Sequence, residues 1–306
     1  MEQYLVLDIG GTFVKYAIMT HDGQFVCQGK VPAVCTNEEA MIASLVLVRE
    51  QVDASACKGL AISLPGRIDT AAGIARTGGA FLWIRDYPAA ACYGAVFGLP
   101  ATIANDGKCA ALAESWLGAL SDVESGAVLV LGTGVGGGIV LDGRVWMGAT
   151  GGAGELSGMI ANYDLLRHGF TFDALGALWA NRISASAITS AFAARKGMER
   201  ADGIMLFDAY EAGDEDATAV LDEFSAQAAA GILSLQSVLD LPRYAIGGGI
   251  SARSETTDLI RSKVNALFDG AEGLIPFGKP EVVTCTFGNE ANLIGALAFH
   301  LRQTER

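Results

Sequence analysis

The chain has 306 residues, 51% of them apolar and only 18% charged, which describes a protein that buries much of its surface and is long enough for two domains. A net charge of −13 without any basic cluster argues against nucleic acid as the main partner. No run of about 18 apolar residues is present and the start lacks a basic segment, so neither a membrane span nor a signal peptide is expected.

In chain order, the apolar run 4–7 reads as a buried strand and leads into Asp8-Ile9-Gly10-Gly11-Thr12. The alternation of Val14, Tyr16 and Ile18 and the turn His21-Asp22-Gly23 predict a hairpin with strands over 14–19 and 24–30. Lys15 lies in that hairpin; it either reaches a phosphate or, the favoured reading, is a solvated strand charge. Thr36 and Asn37 are candidate caps for a helix over 38–52, and 59–64 is a second buried strand stopped by Pro65-Gly66. A strand-like run over 100–104 then leads into Asn105-Asp106 and a helix with Ala110, Ala113 and Leu117 at helical spacing.

The second half restarts the same scheme. A strand over 127–131 enters Leu131-Gly132-Thr133-Gly134-Val135-Gly136-Gly137-Gly138, a strand over 138–141 ends in Asp142-Gly143, and 145–147 is a third. This echo predicts two related lobes with a cleft between them, 1–118 and 119–289, joined by a short hinge within 118–125. The remainder reads as helical over 172–194, 203–212, 216–239, 254–267 and 290–303. In the third of these, Val220, Phe224, Ala228, Ile232, Leu235 and Leu239 form a core-facing stripe. A short strand over 244–246 interrupts the helices and enters a third glycine loop, Gly247-Gly248-Gly249-Ile250-Ser251. The six cysteines are scattered with no CxC or CxxC pair, which fits reduced thiols in a cytoplasm.

Each glycine loop follows a strand and carries a hydroxyl residue (Thr12, Thr133, Ser251). Glycine lets backbone N–H groups approach phosphate oxygens with no Cβ in the way, so three such loops together suit one nucleotide. An acidic chain still binds ATP where loop amides and a divalent cation supply local positive potential. Asp8 either closes its turn or helps hold hydrated Mg²⁺, an ion that needs only one or two carboxylates. Asn105 or Asp106 caps the following helix. Asp106 is also a candidate general base, because a helix N-terminus favours an ionised carboxylate by about 0.5–1 kcal/mol; the two roles are compatible. Glu155 sits in the small-residue stretch 148–158. It is either a surface turn or, as its place near the predicted cleft favours, an acceptor for sugar hydroxyls.

Asp8-Ile-Gly-Gly-Thr-Phe-Val-Lys15, Ala104-Asn-Asp-Gly107, Leu131-Gly-Thr-Gly-Val-Gly-Gly-Gly138, Gly151-Gly-Ala-Gly-Glu155 and Ile246-Gly-Gly-Gly-Ile-Ser251 resemble, in order and spacing, the ROK family of bacterial sugar kinases and repressors. The resemblance runs from residue 5 to about 300. It implies an α/β fold of two actin-like (ribonuclease H-like) lobes with mixed sheets and an interdomain cleft, the closing helix (290–306) packed back on the first lobe. It implies an ATP- and Mg²⁺-dependent kinase that phosphorylates the 6-hydroxyl of a hexose unit, with Asp106 as catalytic base. Gly10, Gly11, Thr12, Gly132, Thr133, Gly134 and Gly136 then belong to the phosphates and Gly247, Gly248 and Gly249 to the adenosine. Gly66, Asn105, Asp106 and Glu155 belong to the sugar, and Asp8 to Mg²⁺ through water. Family members are commonly homodimers.

The departures carry information too. Glucokinases of the family follow this glutamate with Gly-His and a CxCGxxGC cluster that binds structural zinc. Here Glu155 is followed by Leu156-Ser157-Gly158 and residues 159–180 contain no cysteine, so no zinc site is expected. His168 then reads as an ordinary surface or packing residue. The missing histidine removes a contact near the sugar's anomeric end, which leaves room for a substituent and favours a β-glucoside or disaccharide over glucose or an N-acetylhexosamine. Met159 and residues 81–87 are candidate linings of such a pocket, with core packing the favoured reading for Trp83. A sugar-responsive repressor is opposed by the acidity and by a first strand that starts near residue 4, where repressors of the family carry a helix-turn-helix. An idle sugar sensor is opposed by Asp106 and the three loops.

Overall fold

A computed structural model describes residues 1–167 and 169–304, so His168 lies outside the described residues. The first lobe runs β1 (Gln3–Ile9), β2 (Phe13–Thr20), β3 (Phe25–Pro32), α1 (Glu38–Gln51) and β4 (Cys57–Leu64). The short strands β5 (Ile68–Asp69), β6 (Ile74–Thr77) and β7 (Arg85–Tyr87) follow, then α2 (Ala89–Phe97), β8 (Ala101–Asn105) and α3 (Asp106–Leu117). The second lobe runs β9 (Gly126–Leu131), β10 (Val135–Leu141), β11 (Arg144–Val145), α4 (Ala180–Ile183), α5 (Ala185–Lys196), α6 (Gly203–Glu211) and α7 (Glu215–Leu239). It closes with β12 (Arg243–Gly247), α8 (Ser254–Gly270) and β13 (Glu281–Thr284), and the chain ends in α9 (Ala291–Thr304).

The echo heard in the sequence is a repeat of topology. One sheet has the order β3-β2-β1-β4-β8 and the other β11-β10-β9-β12-β13, the first three strands of each antiparallel and the last two parallel. β2 is buried on both faces. Val14, Tyr16 and Ile18 pack in the cluster that contains Met41 and Leu45 of α1, whereas Ala17 and Met19 pack with Leu293, Leu297 and Leu301 of α9. The closing helix therefore returns to the first sheet.

Helix α3 joins the two lobes. Cys109, Leu112 and Ala113 face the α9 cluster, and Ala111 belongs to a cluster with Val128, Val140 and Ala245 of the second sheet. The approach is close: a Cβ built on Gly138 of β10 would lie 2.7 Å from the Ala111 Cβ, so any side chain there would push helix and sheet apart. Near the end of α3, Glu114 is 1% exposed. Its carboxylate accepts the N–H of Ala119, where the chain leaves for the second lobe, and those of Thr286 and Phe287, where it returns.

The helix expected over 172–194 is instead a 3₁₀ segment (Asp173–Ala177) followed by α4 and α5. Ser184 breaks it: its backbone is extended (φ −70°, ψ 157°) and its hydroxyl caps α5 by accepting from Ala187 N. Just before this break, the buried Trp179 ring donates from Nε1 to the Gln227 carbonyl of α7. The stripe on α7 does face the core, with Val220, Phe224, Ala228 and Ile232 buried.

Candidate active site

Two strand ends and one helix start carry the candidate residues. β1 delivers Asp8, β8 delivers Asn105, and α3 begins at Asp106. Asn105 is the N-cap: its Oδ1 accepts the Lys108 N–H at 3.1 Å, while its Nδ2 donates to the Gly66 carbonyl and to Asp106 Oδ1, both at 2.9 Å. Gly107 N also donates to Asp106 Oδ1, at 2.8 Å. Both bonds fall on one oxygen, so Oδ2 is the atom of Asp106 available to a proton from outside.

The helix terminus does not by itself set the Asp106 carboxyl, contrary to the expectation that it holds the group charged. Burial pushes its carboxyl above the ordinary value, and the neighbouring Asp8 and Glu155 charges push the same way. The Gly107 N–H and the Lys108 ammonium act in the opposite sense and do not win. A carboxylate that is raised yet hydrogen-bonded, with one oxygen spare, suits proton acceptance better than a fully stabilised one.

Asp8 is 7% exposed and rigidly held: Ser63 Oγ of β4 and Asn292 Nδ2 of α9 donate to its Oδ1 at 3.0 and 3.1 Å. Lys15 Nζ stands 3.4 Å from Asp8 Oδ2 and donates to the Asn289 carbonyl at 3.1 Å. Lys15 is therefore turned inward, against the favoured reading of it as a solvated charge, because α9 covers the face of β2 from which it projects. Its neighbours leave the Asp8 carboxylate fixed in place, which suits a hydrated divalent cation held through its waters.

The loop tips are bare. Thr12, Thr133 and Gly134 are exposed. A Cβ on Gly134 would meet nothing within 4 Å, so this turn borders open space. Gly136 lies beyond the turn, in β10 opposite Val130. Gly248 is glycine for a local reason as well: its φ is +96° and a Cβ there would lie 2.3 Å from the Leu131 carbonyl oxygen, so loops two and three are pressed together. Behind them is a cavity of about 240 Å³ lined by Lys15, Glu114, Gly248, Cys285 and Asn292 among others.

Glu155 is exposed, ahead of a short 3₁₀ turn (Leu156–Gly158). Its Oε1 lies 3.2 Å from Lys108 Nζ. Leu156 is buried in the second core, whereas a Cβ on Gly158 would meet nothing within 4 Å. The aromatic stretch contributes to packing: Phe81 and Ile84 are buried in the first core, and Trp83 stands edge-on to Tyr87. Met159 packs on the second core. Among the described residues no group of three or more His, Cys, Asp or Glu side chains is placed to hold a metal ion.

Sequence reasoning missed Ser63, Asn292 and Lys108. Asn292 meets Asp8 across 284 residues, a pairing without local signal. Lys108 did have one, as the single cation among the small and apolar residues that open α3.

The ROK family profile matches residues 4–303. The chain is 30% identical over 307 aligned positions to a beta-glucoside kinase of Klebsiella pneumoniae, covering 98% of this chain and 96% of that one. It is 28% identical to a glucokinase of Halalkalibacterium halodurans, covering 95% and 93%. Among solved structures, a ROK family protein of Streptococcus pneumoniae in complex with sucrose superposes with a TM-score of 0.86 at 25% identity, covering 99% of both chains. The two-lobed actin-like architecture is thus the fold of this chain.

Proposed function

The chain belongs to the ROK family, and on that premise we propose that it is a kinase transferring the γ-phosphoryl group of ATP to the 6-hydroxyl of a hexose or β-glucoside. In this reading the lobes divide at 118/119, with helix α9 returned to the first. The observation that carries the reading is the Asp106 carboxylate, fixed through Oδ1, raised by burial and within reach of the Asp8 and Glu155 charges.

In this reading the sugar lies against Gly66, Asn105 and Glu155, with its 6-hydroxyl donating to Asp106 Oδ2. As that oxygen attacks the γ-phosphorus in line, Asp106 takes its proton and ADP leaves. Amides of Gly10, Gly11, Thr12, Gly132, Thr133 and Gly134 face the phosphates, and Gly247, Gly248 and Gly249 face the adenosine. Asp8 would hold Mg²⁺ through water, and a bound ion would supply positive charge beside the phosphates. Lobe closure excludes water and so protects ATP from hydrolysis. A kinase drawing on ATP works in the cytoplasm, and the six free cysteines suit that compartment.

A β-glucoside or disaccharide is the substrate class we favour. Open space at Gly158 supports it, as does the name of the Klebsiella relative. The test is ADP release with ATP, Mg²⁺ and glucose, N-acetylglucosamine, N-acetylmannosamine, fructose, allose, cellobiose or gentiobiose. Sugar-dependent turnover is expected, with kcat/KM higher for the two β-linked disaccharides than for glucose. ATP binding without turnover on any sugar would overturn the kinase reading. Elemental analysis of the purified protein is expected to find less than one-tenth of a zinc per chain, as a thiolate-free loop implies; stoichiometric zinc would refute that.

A further inference from the structure

We propose that Lys108 is a positioning residue that holds the Glu155 carboxylate at the sugar, an inference that rests on the kinase reading above. Lysine carries a compact, strongly hydrated charge and is almost never fully buried unless paired. Lys108 is 1% exposed, and its one ion pair among the described residues is with Glu155. It is also the third residue of α3, in the first turn, where the helix dipole favours anions and opposes a cation. Burial and helix position both count against a lysine here, and an apolar side chain of similar length would pack at lower free energy. Such conflicts between a residue and its local setting mark functional positions.

What the lysine provides is rigidity. Glu155 sits on a loop flanked by Gly151, Gly152, Gly154 and Gly158, and its side chain is half-exposed. Its only hydrogen bond through the carboxylate among the described residues is the one from Lys108. The same first turn of α3 presents Asp106 and anchors the lysine stem, and Asn105 caps that turn through the Lys108 N–H. One rigid turn therefore sets the positions of both carboxylates, the proton acceptor directly and the hydroxyl acceptor through Lys108. Because α3 belongs to the first lobe and Glu155 follows β10 of the second, the pair also keeps the two carboxylates in register when the lobes move.

The experiment is a cycle of Lys108→Met, Glu155→Gln and the double variant, with Lys108→Arg alongside. It is read as sugar KM and kcat and, without catalysis, as sugar affinity by calorimetry. Affinity for a non-hydrolysable ATP analogue, unchanged, reports an intact fold. Lys108→Met is expected to raise sugar KM and Kd about 10–100-fold with kcat changed less than about 3-fold. Lys108→Arg recovers most of the loss, and the double variant is no worse than the weaker single one, since both remove the same contact. Wild-type sugar affinity in Lys108→Met, or losses that add in full in the double variant, would overturn the proposal while leaving the kinase reading intact. A wild-type protein that neither binds nor turns over any sugar would instead sink the kinase reading, and this proposal with it.

Discussion

Asp106→Asn is expected to lower kcat about 10²–10⁴-fold, the usual contribution of a positioned general base, while sugar and ATP affinities stay within a few-fold of wild type. Asparagine keeps the shape and can still accept from Asn105 Nδ2 and Gly107 N, so the first turn of α3 survives. What is lost is the oxygen that takes the proton. The pH dependence follows from the direction of the shift. Burial and the Asp8 and Glu155 charges raise the Asp106 carboxyl, so kcat/KM in wild type rises with pH through a midpoint above the ordinary carboxylate value of about 3.9, and the variant loses that limb. The stability sign is the reverse of an ordinary salt-bridged aspartate. A folded-state pKa above the unfolded one means that ionisation works against folding as pH rises through the window between the ordinary and the raised value. The variant, which does not ionise, is expected to melt no lower than wild type at neutral pH. A kcat within 5-fold of wild type would remove Asp106 from the role of base, and a marked fall in melting temperature would contradict the raised carboxyl.

The parts of this site legible in the sequence are those whose cause is local. Glycine runs after apolar strands, and a carboxylate beside a helix cap, are short-range patterns; in the structure Asn105 caps the helix that Asp106 opens, Asp106 feels the Asp8 charge, and loops two and three touch. Lys15 was misread because alternation in β2 marks which residues share a face, and not what covers the other face; that cover is α9, at the far end of the chain. The glycine run 134–138 mixes two causes that composition cannot separate. Gly134 borders open space, whereas Gly138 admits α3 against the second sheet. The break at Ser184 was missed because small and apolar residues continue through it at helical spacing. Short strands such as β5–β7 and β13 escaped for a related reason: two to four residues carry too little periodicity to register.

Glu114→Leu is expected to destabilise the protein by about 3 kcal/mol, from taking the buried carboxylate away from three backbone N–H groups of partly exposed residues at about 1 kcal/mol each, or on the order of 5 °C in melting temperature for a chain of this size. The donors are Ala119 N at 2.7 Å, Thr286 N at 3.0 Å and Phe287 N at 2.8 Å. They belong to the two segments by which the chain passes between lobes, so a single carboxylate on α3 fastens both crossings. Water cannot readily replace it, since Glu114 is 1% exposed and the Leu120 and Phe287 side chains pack nearby. Glu114→Gln supplies one acceptor oxygen but sets an amide donor against the remaining N–H groups, and it should fall between Leu and wild type. The fastening also has a mechanical consequence. With both crossings pinned at one point, the lobes have a fixed pivot, and the cavity that Glu114 helps to line lies beside it. Loosening the pivot lets the lobes sample more orientations, which lowers the fraction poised to close on sugar and raises KM in proportion. Differential scanning calorimetry and steady-state kinetics on the two variants test both halves. A Glu114→Leu protein that melts within 1 °C of wild type would show that the three N–H groups find other partners and that the carboxylate is no pivot.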